Sequence, residues 1–524
     1  MLELKNQSSA ITAQPAPGDR RSFFRLTKQE DGWISSGTPH CLLSQHSHAS
    51  AVGSNTGAFA QWNWDGSELA IKNDRLGFMP LFYYATPTDF CVSGSIPVLL
   101  QQGAPTNIDY DALGIYLRTG YFLANDTAFE AIKLVPPSAQ ISWRDGKLSV
   151  SGSAPIPASV DVSRKDALDG CISLVRQAVM RTAPSDQQFA VTLSGGRDSR
   201  HILLELLSCG FKPSFCATAR YFDCWPTNDI EIAAELCRRS NIPHHVVGQD
   251  SSMLTGQLEK NIRTSFGTTD HVWIPPLVRF LKSRTNTVYE GVACDVFTGT
   301  FSTPKRLAYM RAHQFEKFAD DVLELDDKAI RALVGEDNFR RMNREAAVAR
   351  VAKEAEKYAD AGNPVALYFI FNRTRRVTSL APMNLLIDVG NVITPYLDFD
   401  VFSFLCGCPG EMFVDHTFHT EAITLAYPEF ADVPYASPAT SRTVRIASSY
   451  KFFAGIALDL ASFSLDRSRK PQLVDRGFLW PRLLRSLVDW NYSEAMAWIS
   501  ELAILLIHLE FATLDKLLDV SEFD

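Results

Sequence analysis

The chain has 524 residues, 46% of them hydrophobic and 21% charged, with 51 Lys and Arg against 59 Asp and Glu. Such a length is too great for one core and predicts two or three. A formal charge of −8 without a basic stripe argues against nucleic acid as a partner.

The opening MLELKNQSSA has neither the basic nor the apolar region of a signal peptide. The apolar run at 503–514 carries His508 and Glu510 and is too short to span a bilayer. A cytoplasmic chain without membrane contact is therefore expected. Residues 1–150 read as β-rich. Trp62, Trp64 and Asp65-Gly66 mark a hairpin, with strands at 69–72, 81–84 and 90–93 and a turn over 73–80.

A helix is predicted at 163–182, with Ala167, Cys171, Leu174 and Ala178 near helical spacing. It leads into FAVTLSGGRDSRHILLELLSC at 189–209, the stretch around which the chain is organised. Apolar 189–193 reads as a buried parallel strand and Ser194-Gly195-Gly196 as a turn. Ile202, Leu203, Leu206 and Leu207 form the inner face of a helix. Strand, glycine turn and helix present backbone N–H groups to a phosphate chain. The glycines allow close approach, and the Ser194 and Ser199 hydroxyls add donors. Asp198 would repel bare phosphate but suits a Mg²⁺ ion standing between them. The loop is neither a Walker A loop nor a GxGxxG turn.

Strands at 213–218 and 242–247 flank a helix at 229–239. This alternation predicts a doubly wound α/β domain that binds ligands at the carboxyl ends of its strands. Ala217, Thr218 and Ala219 offer small side chains to an adenine ring. Arg220 is either a phosphate ligand or a surface residue. Glu231 either borders a nucleotide or simply complements a helix N-terminus. A strand at 286–290 runs into Gly291 and brings Asp295 to the same sheet edge, so that Asp198 and Asp295 can share one Mg²⁺.

The loop resembles the SGGxDS pyrophosphate loop of the ATP-pyrophosphatase superfamily, with Leu193, Ser194, Gly195, Gly196, Asp198 and Ser199 on the motif. Residues 291–299 are similar to the GxGxDxxxGG segment of asparagine synthetase-like proteins, with Asp295 on the metal-binding acid and Gly291 on the first glycine. Ala293, Val296 and Thr300 depart from that pattern. Residues 73–84 resemble the RDxxGxxPLYY segment of the family's glutaminase domain, and 109–143 the stretch that closes it. The resemblance implies an Ntn-hydrolase-like β-rich sandwich at 1–150, a degenerate glutamine amidotransferase-like domain. It is followed at 160–524 by a doubly wound parallel-sheet ATP-pyrophosphatase domain with a helical C-terminal lobe, its last hundred residues mainly helical. The family's glutaminase uses a cysteine at position two. Here Leu2 stands there and the first cysteine is Cys41, which predicts a scaffold without glutaminase chemistry.

Residues 308–360 read as peripheral helices. Arg373, Arg375 and Arg376 in FNRTRR, similar to the family's xxRxRR element, either form ion pairs or face pyrophosphate or a substrate carboxylate. NVITPYLDFD at 391–400 resembles the RxPFLD element that closes the family's active site, with Ile393 in place of its arginine. Asp398 there orients either a base or a turn. Amide-forming relatives use a lysine in this lobe to steady developing charge. None occurs between Lys357 and Lys451, so Lys451 is either that group or a solvated lysine. The ten cysteines, Cys224 among them, have no metal-ligand spacing and read as reduced, inert thiols.

The resemblance implies an ATP- and Mg²⁺-dependent synthetase that adenylates a carboxylate, releases pyrophosphate and lets an amine capture the product. Asp198, Asp295, Arg373 and Lys451 are its expected catalytic residues. The substrate is a carboxylate-bearing small molecule or a precursor peptide, with a separate ammonia source or a substrate-delivery protein as partner. Relatives without the cysteine include β-lactam synthetases and lasso peptide cyclases, which close rings within one molecule. The alternatives are an amidotransferase fed by free ammonia or by a separate glutaminase, and a non-catalytic binding homologue.

Overall fold

The computed structural model describes residues 19–45, 57–184, 188–221, 228–436, 446–464, 472–489, 492 and 497–512. Leu2 and Cys224 lie outside the described residues, and so does the side chain of Lys451, which falls in the helix Ile446–Phe463.

Ten strands build the first part: β1 Phe23–Gln29, β2 Gly32–Gly37, β3 His40–Ser44, β4 Phe59–Trp64, β5 Leu69–Asn73, β6 Phe82–Ala85, β7 Asp89–Ser93, β8 Ile132–Leu134, β9 Gln140–Arg144 and β10 Lys147–Ser151. They form two antiparallel sheets, ordered β2-β1-β7-β6-β8 and β10-β9-β5-β4-β3. Alternate residues point inward, among them Phe24 and Leu26 from one sheet and Ala60, Trp62, Leu69 and Ile71 from the other. The sheets stack through Phe24 against Trp64, at 5.5 Å between ring centroids, and Phe90 against Trp143, at 6.2 Å. The opposite face of the first sheet, with Phe82, Tyr84 and Cys91, packs in one cluster with the helices Ile96–Gln101 and Tyr110–Thr119.

After the helix Arg164–Arg181, whose Ser163 cap accepts the Asp166 N–H, the chain becomes a wound α/β structure. β11 Ala190–Thr192, β12 Phe215–Ala219, β13 His244–Val247, β14 Thr287–Tyr289 and β15 Asn391–Ile393 pair in parallel in the order β13-β12-β11-β14-β15. In chain order this is 3-2-1-4-5, so the winding reverses between β11 and β14. An open α/β sheet leaves its ligand crevice at such a point. Within 391–400, expected to resemble an element that closes the site, the structure also forms the three-residue β15, whose Val392 pairs with Val288 as the fifth strand.

Arginines lock the two parts together. Arg375 donates from Nε to the Gly77 carbonyl at 2.9 Å and from Nη2 to that of Val135 at 2.6 Å. Arg376 donates to the carbonyls of Ala124 and Asp126, both at 2.6 Å. Gln45, at the end of β3, accepts the Val392 N–H at 3.0 Å and donates to Thr394 Oγ1 at 2.8 Å. Among the described residues no helix is long and apolar enough to cross a membrane.

Candidate functional site

A cavity of about 460 Å³ opens at the carboxyl ends of β11, β12 and β14. Ser194, Gly196, Asp198 and Ser199 line it from the turn after β11 and the start of the helix Arg197–Ser208. Ala217, Thr218 and Ala219 line it from β12, and Gly291 and Asp295 from the segment after β14. Residues almost a hundred positions apart meet because β11 and β14 are neighbours in the sheet. Gly291 is needed for that meeting, since a Cβ there would stand 2.6 Å from the Ser199 nitrogen.

The loop differs from expectation in one respect. Its own amides are not free for phosphate, because side-chain oxygens satisfy them. Ser194 N–H donates to Ser199 Oγ at 3.0 Å, Gly195 N–H to Asp229 Oδ1 at 2.8 Å and Gly196 N–H to Ser194 Oγ at 3.2 Å. The N–H groups that intrahelical carbonyls cannot reach are those of the first turn, at Arg197, Asp198 and Ser199. The Thr218 hydroxyl is likewise engaged, donating to the Leu193 carbonyl at 2.6 Å. It ties β12 to the loop and is not a free ligand donor.

The cavity is strongly acidic. Asp198, Asp229, Glu290 and Asp295 line it against a single guanidinium among the described lining residues, that of Arg197. Asp198 Oδ2 accepts the Asp295 backbone N–H at 3.3 Å, which brings the two residues together at the sheet edge. Burial first, and then the neighbouring Asp295 charge, push the Asp198 carboxyl well above its ordinary range. Burial raises Asp295 too, against the opposing pull of Arg373. Glu290, hydrogen-bonded by the Thr192 hydroxyl, is pushed by burial to about 7. Carboxylates crowded this way gain most from a hard cation ligated by oxygen, so Asp198 and Asp295 fit Mg²⁺ by donor type and charge.

The arginines divide. Arg373 packs over the Phe301 ring at 4.6 Å and reaches Thr378 Oγ1, on the cavity wall, at 3.5 Å. Arg375 and Arg376 point to the first part of the chain and are structural. Asp398 is also structural. It accepts from Arg181 at 2.6 and 2.9 Å and caps the helix Phe399–Gly407 through the Asp400 N–H. Neither Arg220 nor Glu231 lines the cavity, whereas Asp229, two residues before Glu231, does. Sequence reasoning missed Glu290, Trp273, His416 and His419. The last two carry a faint signal, a three-residue spacing at the start of a helix.

The family model of a glutamine amidotransferase domain matches residues 41–152. No curated protein matches the chain. Among solved structures it is similar to glutamine phosphoribosylpyrophosphate amidotransferase from B. subtilis, complexed with ADP and GMP, at 12% identity and a TM-score of 0.13 over 45% of this chain. The chain spans about half of that enzyme, 48% of its length. It is also similar to NMN synthetase from Francisella tularensis, at 13% identity and a TM-score of 0.17, over 54% of this chain and 100% of that one.

Proposed function

We propose that the chain is an ATP-dependent, AMP-forming carbon–nitrogen ligase that activates a carboxylate and joins it to an amine. The observation that carries this reading is the meeting of Asp198 and Asp295 over a Ser-Gly-Gly turn at the reversal point of a 3-2-1-4-5 sheet. In this reading the first-turn amides of the helix Arg197–Ser208 receive the phosphate chain, and a phosphate oxygen at Gly195 N–H replaces Asp229 Oδ1. Ala217 and Ala219 floor the space for a flat base, beside the paired rings of Tyr221 and Trp273. Asp198 and Asp295 would hold Mg²⁺, which neutralises phosphate charge when bound. Arg373, beside Asp295, receives the leaving pyrophosphate.

The proposal assigns no glutamine hydrolysis to this chain. Cys41 and Cys91, the thiols described in the matched domain, are both buried, and burial raises the Cys91 thiol further from ionisation. The amine is then ammonia from another source or an amino group of the substrate itself, as in ring closure.

Pyrophosphate exchange into ATP tests the reading, run across small amino-diacids and precursor peptides with Mg²⁺. Exchange with at least one acid, and no glutamate released from glutamine, is expected. A folded protein that neither binds ATP nor exchanges pyrophosphate with any acid overturns it. The engaged loop amides favour a second reading, a nucleotide-fold homologue without chemistry. Asp198→Ala protein that complements as well as wild type in cells would support that one.

A further inference from the structure

Behind the wall of the cavity that His419 lines lies a group of side chains that the ligase reading does not use. Cys294 opens the short helix Cys294–Phe297, His419 is the second residue of the helix Phe418–Ala426, and His201 follows Asp198 by one turn. Cys294 and His201 are fully buried, and His419 is 2% exposed. His419 Nε2 lies 3.2 Å from His201 Nδ1 and 3.6 Å from Cys294 Sγ. His419 Nδ1 lies 3.5 Å from Asp198 Oδ1 without forming a hydrogen bond to it and has no hydrogen-bond partner. One ring nitrogen shut away from water beside a carboxylate oxygen, on a ring whose other nitrogen lies against a thiol and a second imidazole, makes a cluster that a shared partner would complete.

One ligand atom from each of Asp198, Cys294 and His419 lies within 4.8 Å of the other two. Bonds of about 2.0–2.3 Å meeting at a tetrahedral angle hold ligand atoms roughly 3.3–3.8 Å apart, so a small inward shift closes the set. Sulfur, imidazole nitrogen and one carboxylate oxygen form a donor set that favours zinc-class ions over Mg²⁺. The histidine pair suits the usual support: with Nε2 protonated toward His201 Nδ1, 3.2 Å away, His419 offers Nδ1 as the lone-pair ligand.

We infer that Cys294, His419 and Asp198 form a binding site for one thiophilic divalent cation of the zinc class, with His201 as the positioning residue for His419. The cation binds as the Cys294 thiol loses its proton to solvent, with no change of oxidation state. Occupancy draws Asp198 away from Asp295, so zinc and the hard cation compete for one carboxylate, and zinc acts as a brake on chemistry at the cavity.

Cobalt(II) titration of the full chain without nucleotide tests the site apart from the ligase reading, because no ATP enters the readout. One equivalent should bind with a thiolate-to-cobalt charge-transfer band, which Zn²⁺ abolishes and Mg²⁺ does not. Cys294→Ser should remove the band and weaken binding more than tenfold. His201→Leu should weaken binding about tenfold with the band retained, and His201→Gln, which restores an acceptor for His419, should recover most of the loss. Zinc X-ray absorption of the wild-type protein needs no variant and should show one sulfur at about 2.3 Å with nitrogen and oxygen neighbours at about 2.0 Å. A wild-type zinc complex without a sulfur neighbour, or a band that survives Cys294→Ser, overturns the inference.

Discussion

Asp74 in the first part of the chain, buried, and Asp198 in the second, half-buried at the start of a helix, both follow a strand, yet their surroundings are opposite. Asp74 accepts backbone N–H groups from Phe59, Leu76, Gly77, Phe78 and Met79, at 2.7 to 3.4 Å. Asp198 receives the Asp295 N–H, faces a second carboxylate and borders open volume. The protein solves the first charge internally and leaves the second for something from outside. Donor supply, more than burial, separates a structural acid from a working one.

The sharpest break of this contrast is mutational. On the proposed reading, Asp198→Asn and Asp295→Asn should each lower pyrophosphate exchange well over tenfold with little change in melting, and the double variant should be far from additive if the two hold one ion. Full additivity removes the shared-ion picture. Asp74→Ala should do the reverse. Gly77 N–H keeps the Asp74 backbone carbonyl, but leaving the Leu76, Phe78 and Met79 donors and the half-buried Phe59 donor without an acceptor costs about 3–5 kcal/mol by denaturant titration, even after local relaxation.

Arg375→Ala belongs with Asp74, at about 3 kcal/mol, since its carbonyl partners at Gly77 and Val135 lose charged donors. Arg373→Ala belongs with Asp198 and should slow exchange with little loss of stability.

Glu290 gives a pH-dependent version of the comparison. Folded, its carboxyl keeps a proton up to about pH 7 against an ordinary value of 4.5. The folded state therefore binds the extra proton between those values, and stability from this group falls as pH rises through them. Glu290→Gln should match wild type below pH 4.5 and exceed it by at most about 3 kcal/mol at pH 8 without divalent cation. Equal pH profiles in the two proteins would rule this out.

The smallest effect concerns strain. Ala293 sits at φ +86°, where L residues are disfavoured and the resembled motif has glycine. Ala293→Gly should raise stability by about 1 kcal/mol, read as a higher denaturant midpoint.

The parallel half is legible because its central strands are apolar runs that end in glycine or small residues, and its helices carry apolar faces. The expected helix at 229–239 forms over those residues, and that at 163–182 lies within one residue at each end. In the first half β2, GWISSG, is exposed almost throughout and has no alternation to read. β15 exists only because β14, a hundred residues earlier, gives it a partner. The direction of each arginine in FNRTRR was hidden for a geometric reason. Ile370–Thr378 is a π-helix, with the Ser379 N–H reaching the Thr374 carbonyl, so 3.6-residue spacing does not apply. Glu290 lies far in sequence from His416 and His419, and the faint spacing of those two histidines does not announce their convergence with it.

The contact of Gln45 with Val392 has a consequence for why the first domain is there at all. An open parallel sheet ends in a strand whose outer amides can recruit another chain and seed aggregation. β15 is that strand here, and its outward Val392 amide is covered by the Gln45 carbonyl. The matched domain thereby serves as an edge guard, whatever chemistry it carries. Excising it would leave a sticky ladder exposed, with a solubility defect that no supply of ammonia could repair.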